Sequence, residues 1–303
     1  MNEKKQSISI ISLMFKCIVM LVILVSVTFS WFVFTKDGGI KTIFTDVMKA
    51  GSVTISPDGE TWGSKLEFNL ESGNLNITEY SGNGLNLYVP VISKNQISGY
   101  YLPNEDGFMS KKGYIEASAY IKTDIPIHLY LSQDCSVNPV DDNVAADYIA
   151  GAIRIAIWVE GEEPIIWAPN STYEFSNGSV NANGTPESFY SYVSSNSEEQ
   201  YVDSDQLVII NNPDLKESGV SDDKRFVWGN LKDIENYEYS VEPIFSTEKD
   251  LKEEIEKQIV IRVWVEGTDR EAVKEMLGGK FTIDLRFKAI GNNWGDLWKI
   301  RRN

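Results

Sequence analysis

The sequence predicts a mainly β protein, a β-sandwich preceded by one apolar helix at the N-terminus. Apolar and polar residues alternate with a period of two over 115–121, 127–131 and 281–287, as in strands that bury one face. The runs 153–159 and 259–265 are mostly apolar, which is typical of strands buried on both faces. Two sheets packed face to face would cover the alternating faces, so a sandwich is the expected architecture.

Shorter segments with β-forming residues supply the remaining strands of this prediction. They are 53–55, 66–70, 85–91, 207–210 and 226–228. One short helix is predicted over 268–279, where a capping box at Thr268 to Glu271 precedes an apolar stripe and a Gly-Gly pair ends it. A second, solvated helix is predicted from Glu248 to Gln258, with Leu251 and Ile255 on one face.

The N-terminal segment carries the clearest functional signal. Cys17 to Phe34 contains no charged residue and reaches the lower limit for a bilayer-spanning helix. Lys4, Lys5 and Lys16 precede it, so the positive-inside rule places residues 1–16 in the cytoplasm and 35–303 outside. Residues 1–34 are therefore either a cleaved signal peptide or a retained membrane anchor, which makes the protein secreted or bound to the outer face of the membrane.

Residues 35–303 are expected to form one extracellular β-domain with a loop-rich insertion at about 170–225, where Ser, Asn, Gly and Asp dominate. The formal net charge of −16 argues against nucleic acid as a partner, because phosphates would be repelled. Membrane contact is expected through residues 17–34 alone.

The sequence offers no catalytic constellation. It lacks His-Glu-x-x-His and Gly-x-Ser-x-Gly, and its single histidine, His128, falls on the polar side of a predicted strand. Cys135 is the one cysteine beyond the apolar run, so an internal disulfide is excluded there and a small core residue is expected. We therefore predict a protein that is not an enzyme and has no catalytic or cofactor-binding residues.

Calcium is the one ion that the sequence makes reasonable. Carboxylates gather in predicted turns, and a hard cation prefers oxygen ligands. The weak candidates are Asp58, Glu60, Asp106, Asp141 and Asp142. They do not follow the EF-hand spacing, and Asp-Gly is also ordinary hairpin chemistry, so the turn interpretation is favoured. The tryptophans could line a sugar-binding face, although indoles at strand ends more often belong to the core.

A short repeat lies in the two most apolar runs. Trp158-Val159-Glu160-Gly161 recurs as Trp264-Val265-Glu266-Gly267, and each copy follows an arginine, Arg154 or Arg262. A repeat this short is weak evidence for duplication. We interpret it as two structurally similar core strands.

Several motifs resemble those of a known group of exported proteins. Val263 to Ala272 (VWVEGTDREA) followed by Gly278 to Phe281 (GGKF) resembles the C-terminal signature of a poorly characterised group of exported proteins of Gram-positive bacteria. The segments 154–159, 166–170 and 56–62 resemble its other recurring pieces. The end of the apolar run, Thr28 to Phe32, is similar to the leaders of TasA/camelysin-like surface proteins.

This resemblance implies a jelly-roll sandwich, no established catalytic residues, and assembly into biofilm-matrix fibres. In such fibres the N-terminal segment of one subunit completes the sheet of the next, a form of strand addition. The corresponding segment in this chain is Thr35 to Lys49, in which Ile40, Thr42 and Phe44 alternate with their neighbours.

Two functions stay open on the sequence. The leading one is a non-enzymatic cell-surface or extracellular structural protein, such as a fibre or biofilm-matrix subunit, that associates with itself or with other surface proteins. The alternative is a membrane-anchored binding module, an adhesin or carbohydrate binder, with the Asn/Ser-rich insertion as its recognition loop.

Overall fold

The fold is known from a computed structural model that describes residues 39–48, 53–68, 80–94, 96–102, 114–140, 144–169, 190–210, 218–269, 272, 276 and 278–291. Over these residues the protein is mainly β, with several sheets and short helices, as predicted. The apolar run 17–34 and the calcium candidates Asp106, Asp141 and Asp142 lie outside the described residues. Within the described part of the chain, no helix is both long and apolar enough to cross a membrane.

Strands make up most of the regular structure, and few of them exceed seven residues. The strands are β1 Gly39–Met48, β2 Thr54–Ser56, β3 Lys65–Phe68, β4 Ser81–Gly82, β5 Leu87–Ser93, β6 Gln96–Tyr101, β7 Tyr114–Thr123, β8 Ile127–Leu131, β9 Ser136–Pro139, β10 Ile153–Val159, β11 Ile165–Ala168, β12 Tyr190–Val193, β13 Tyr201–Asp203, β14 Leu207–Ile210, β15 Gly219–Val220, β16 Phe226–Trp228, β17 Phe245–Ser246, β18 Ile255–Val265 and β19 Lys280–Gly291. The helices are α1 Val144–Ala152 and α2 Tyr237–Ser240, with 3-10 turns at Ser204–Gln206 and Leu231–Asp233.

Two large sheets organise the chain. The first has the order β17-β8-β19-β1-β3, with β9 also paired to β19. The second has the order β15-β16-β11-β10-β18-β7-β2. Most neighbours in both sheets run antiparallel, whereas β1 with β19 and β11 with β16 are parallel pairs. Strands that are distant in sequence therefore pair with each other. β19, the last described strand, pairs with β1, the first described strand.

The two large sheets share one hydrophobic core. The predicted inward face of β19 is confirmed, because Phe281, Ile283, Leu285 and Phe287 are all fully buried. They belong to the same cluster as Ile155 and other inward residues of the second sheet. Alternation on β19 thus reflects burial against the facing sheet.

The second sheet is covered on its other face as well. Trp158, Trp228 and Trp264 pack there with Tyr80 and Tyr192, which come from smaller elements laid over the sheet. Those elements are the four-stranded sheet β13-β6-β5-β4 and the pair β12-β14. This outer layer explains why β10 is buried at all of its positions, and it confirms these tryptophans as core residues.

Most predicted strands are present. The segments 127–131, 153–159, 207–210 and 226–228 match β8, β10, β14 and β16 in their bounds. The helix predicted over 248–258 is wrong, because β18 begins at Ile255 and its first residue pairs with Thr123 of β7. Pairing along a neighbouring strand outweighs the weak helical pattern.

The helices differ from prediction in position. Helix α1 is not predicted from the sequence, and its Ile149 and Ala150 are fully buried. Half of the residues of the helix predicted over 268–279 lie outside the described part, including Glu271. Of its predicted apolar stripe, Met276 is buried in the core.

Candidate functional site

The N-terminal strand occupies an interior position in the first sheet. β1 pairs in parallel with β19, for example Thr45 with Leu285, and antiparallel with β3, where Thr45 pairs with Leu66. Among the described strands, β1 is the one that pairs with β3. We call the space between β19 and β3 the β1 site. The sequence predicts a strand within Thr35 to Lys49, and β1 at Gly39–Met48 is that strand.

Two strands depend on β1 for pairing at the β1 site. Without β1, the long strand β19 would present unpaired backbone N–H and C=O groups along one edge, and such an edge is a template for another strand. β3 would lose its pairing at the same time. In the structure, β1 of the same chain occupies this position.

Residues of the segment 263–272, together with Arg154, form a buried polar cluster. Arg154 Nη2 donates to Asp269 Oδ2 at 2.5 Å, and both side chains are almost fully buried. The indole Nε1 of Trp264 donates to Glu266 Oε2 at 3.1 Å, and Thr268 Oγ1 donates to Glu266 Oε1 at 2.6 Å. The motif therefore ties the end of β18 to the end of α1 and the start of β10.

Burial and nearby polar groups act in opposite directions on the pKa of Glu266, and burial has the larger effect. Burial raises the pKa of Glu266 above its usual value of 4.5, and the positive charge of Arg154 opposes that shift together with hydrogen bonds from Ser81, Thr268 and Trp264. The backbone N–H of Glu266 also donates to Ala152 O at 2.9 Å. These contacts give the signature residues a role in folding.

The short repeat corresponds to two neighbouring strands. β10 and β18 pair antiparallel, with Arg154 opposite Trp264. The repeated glutamates have different environments, because Glu160 is exposed and Glu266 is fully buried. The interpretation as two similar core strands agrees with this pairing.

The carboxylate of Asp58 is engaged by its own turn. Asp58 Oδ1 accepts hydrogen bonds from the backbone N–H of Thr61 at 2.8 Å and of Glu60 at 2.9 Å, and from Ser56 Oγ at 2.8 Å. These bonds lower the pKa of Asp58 to about 2. The side chain of Glu60 is exposed. Over the described ranges, no group of three or more His, Cys, Asp or Glu side chains is placed to hold a metal ion.

The remaining candidates named from the sequence are accounted for by strand pairing and burial. His128 Nδ1 lies 2.6 Å from Ser246 Oγ, across the pair β8 and β17. Cys135 Sγ donates to Arg286 O at 3.3 Å and accepts from Arg286 N at 3.2 Å. Burial raises the pKa of the Cys135 thiol to about 12, which agrees with a core residue.

A polar cleft of about 330 Å³ lies within the predicted insertion, at residues 194–206. We call it the 194–206 cleft. Tyr201 at its edge keeps 44% of its surface exposed, and Glu199, Asp203 and Gln206 line it. The sequence located this region only as a Ser/Asn-rich segment, because the cleft depends on contacts with residues more than a hundred positions away.

Residues from the β4–β5 region hold the wall of the 194–206 cleft. The side-chain amide of Asn83 donates to Ser195 O, and that of Asn86 donates to Ser197 O at 2.8 Å. Tyr88 Oη donates to the same Ser197 O at 2.9 Å. The cleft wall is therefore held by side chains from a distant part of the chain.

Comparison with known proteins finds no matching family model, no matching curated protein and no matching solved structure. Functional proposals for this chain consequently rest on its own geometry and sequence.

Proposed function

We propose that the protein is an exported, non-enzymatic structural subunit that associates with copies of itself by exchanging strand β1. Its architecture would be a jelly-roll-like β-sandwich made of the two large sheets. The observation that carries the proposal is the β1 site, in which the strand nearest the apolar run pairs with both β19 and β3. β1 is the first described strand, and when it leaves, the described strands of the first sheet other than β3 keep a partner.

Exchange between copies would reproduce the contacts made within one copy. β1 from a neighbour would find the same register against β19, so the gain from pairing is the same in either arrangement. Residues 49–53 are all that separate β1 from β2, and a short hinge connection favours exchange between copies. Association would then depend mainly on whether β1 is free to leave.

In this proposal, the apolar run 17–34 determines whether β1 can leave the first sheet. While residues 17–34 remain as an anchor in the membrane, β1 is held beside the bilayer and the protein is a tethered monomer. Cleavage would release β1 and permit fibres. The acidic character of the chain does not fit nucleic acid as a partner, because phosphates would be repelled.

The first experiment determines the mature N-terminus by mass spectrometry and examines the exported protein by electron microscopy. A start near Trp31 together with fibres supports strand exchange. An intact first residue with monomers only supports the anchored form. Fibres that persist unchanged when residues 31–49 are deleted would exclude β1 as the exchanged strand.

A cross-linking experiment tests the register directly. Met48 and Lys288 are partners in the pairing of β1 with β19, so cysteines at these positions are close enough for a disulfide. Chains with Met48→Cys are mixed with chains with Lys288→Cys during assembly, both in a Cys17→Ser background. A disulfide between the two chains is expected.

The matched control replaces Lys288→Cys with Lys257→Cys, which lies exposed on β18 in the other sheet. It should give no cross-link with Met48→Cys. If assembled material contains no disulfide between the Met48→Cys and Lys288→Cys chains, strand exchange is refuted.

The alternative of a binding module is supported by a separate observation, the 194–206 cleft.

A further inference from the structure

Three charged residues of alternating sign lie side by side across the β1 site. Asp46 of β1 is directly opposite Arg286 of β19 and directly opposite Lys65 of β3. Residues that are directly opposite each other on paired strands share one face of the sheet. Arg286 is half-buried and Lys65 is exposed, so this face is the one turned away from the shared core. The pairing therefore places one acidic position between two basic ones.

The neighbouring position on the same face of the β1 site has the opposite charge. Phe44 of β1 is directly opposite Asp284 of β19 and directly opposite Glu67 of β3. Along β19 itself, Arg286 Nη2 donates to Asp284 Oδ2 at 2.8 Å. The strands on either side of β1 thus present two acidic residues at the position of Phe44 and two basic residues at the position of Asp46.

This charge pattern distinguishes the observed register of β1 from its nearest competitors. A shift by one residue turns the inward face outward, so the nearest competing registers are shifted by two residues. A shift that moves Asp46 to the position of Phe44 would place it opposite Asp284 and Glu67, where like charges repel. The reverse shift would place Asp46 opposite Lys288 but beyond the N-terminal end of β3. Of the three registers, the observed one places Asp46 between two cations.

We propose that Asp46 determines which strand the β1 site accepts and in which register. The strand that fits carries a carboxylate at the position between Arg286 and Lys65, and β1 of a second copy of this chain meets that requirement. A strand with a basic residue at this position is rejected. Selection between copies rests on the strand exchange proposed above, whereas selection of the register within one chain does not.

The size of the effect follows from the two cross-strand pairs. Reversal of the charge at position 46 turns two attractive pairs into two repulsive ones, which changes the pairing equilibrium by about tenfold. Because Lys65 is exposed and Arg286 is only half-buried, high salt should reduce this effect. A loss of packing would not show the same dependence on salt.

The first test measures the melting temperature of the full chain, purified in detergent, in which β1 occupies its own site. Asp46→Lys should lower Tm by about 3–10 °C, whereas Asp46→Glu keeps the charge and should leave Tm nearly unchanged. Lys65→Glu added to Asp46→Lys should restore part of the loss. Glu253→Lys is the matched control, because it makes the same change in net charge at an exposed residue outside the strands.

Several outcomes of the first test would overturn the assignment of Asp46. They are an equal loss for Asp46→Lys and Glu253→Lys, an equal loss for Asp46→Lys and Asp46→Glu, and an undiminished loss at about 1 M NaCl. Losses that simply add in Asp46→Lys/Lys65→Glu would overturn it as well. If Asp46→Lys does not fold, Asp46→Asn, Lys65→Gln and their combination give the same test with smaller changes of Tm.

The second test asks whether Asp46 also selects between copies. Chains with Lys288→Cys are mixed during assembly with chains that carry Met48→Cys and either Asp46 or Asp46→Lys, all in a Cys17→Ser background. The donor with Asp46→Lys should give about tenfold fewer disulfides between chains, and Lys65→Glu in the acceptor should recover part of the yield.

The outcomes of the second test separate the two proposals. Equal yields from the two donors would show exchange without charge selection and refute the role of Asp46. No disulfide between chains from either donor would refute strand exchange, and with it the selection of a second copy. In that case the melting temperatures of the first test still decide whether Asp46 sets the register of β1 within one chain.

Discussion

Replacement of Ile283 by aspartate tests the central packing of the first sheet on the second. Ile283 is fully buried on β19, within the core that both sheets share. Loss of the buried isoleucine side chain costs about 1.5–3 kcal/mol, and burial of a carboxyl group without an arranged partner adds about 1–3 kcal/mol. Ile283→Asp should therefore lower the free energy of unfolding by roughly 3–6 kcal/mol.

Thermal unfolding followed by circular dichroism measures this effect. For a domain of this size each kcal/mol shifts Tm by about 2–4 °C, so a decrease of roughly 6–24 °C is expected. Thr282→Asp is the matched control, because Thr282 is the neighbouring residue on the opposite, half-buried face of β19. An unchanged Tm for Ile283→Asp, or an equal loss for Thr282→Asp, would mean that the assigned inward face is wrong.

Four further predictions follow from buried or titratable groups and from the N-terminus. Asp269→Leu leaves the Arg154 guanidinium buried without the Asp269 carboxylate and should lower the free energy of unfolding in urea by about 3–5 kcal/mol. The additional change Arg154→Leu should restore part of this loss. If the losses of free energy in the two single variants simply add in the double variant, the pairing is contradicted. Burial raises the pKa of Glu266 above 4.5, so the protonated Glu266 carboxyl group stabilises the folded state fully below pH 4.5. This stabilisation decreases as the pH rises through the native pKa of Glu266. Glu266→Gln should flatten this part of the pH–stability curve. Cys135, whose pKa is raised to about 12, should resist alkylation at about pH 8 in the native Cys17→Ser protein and react only after unfolding; rapid native alkylation would refute its burial. Protease added to intact cells should digest an epitope placed after Asn303, whereas protection would reverse the proposed topology.

The sequence was sufficient for features that depend on local periodicity. Alternation of apolar and polar residues predicted β8 and the inward face of β19, because a strand with one buried face must repeat with a period of two. The same reasoning failed for Glu248 to Gln258, where a weak helical pattern lies partly in β18. In that segment, strand pairing with β7 determines the structure, and β7 lies more than a hundred residues away in the chain.

The candidate sites were less accessible to sequence reasoning. A strand within Thr35 to Lys49 was predicted, but its partners β19 and β3 were not, since strand pairing between distant segments leaves no local pattern. The 194–206 cleft gave only a composition signal, because its wall is held by Asn83, Asn86 and Tyr88 from another part of the chain.

What the sequence determined by itself is the β character of the chain and the inward face of its alternating strands. The membrane role of the apolar run 17–34 stays a prediction. These properties depend on residues close together in the chain, so they can be read from spacing and composition. Only the tertiary structure decided which strands meet, that the outer layer buries the second face of β10, and that Glu266 is buried while Glu160 is exposed. The physical reason is that burial and electrostatic environment come from residues brought together by folding, and identical short segments acquire different roles when their distant neighbours differ.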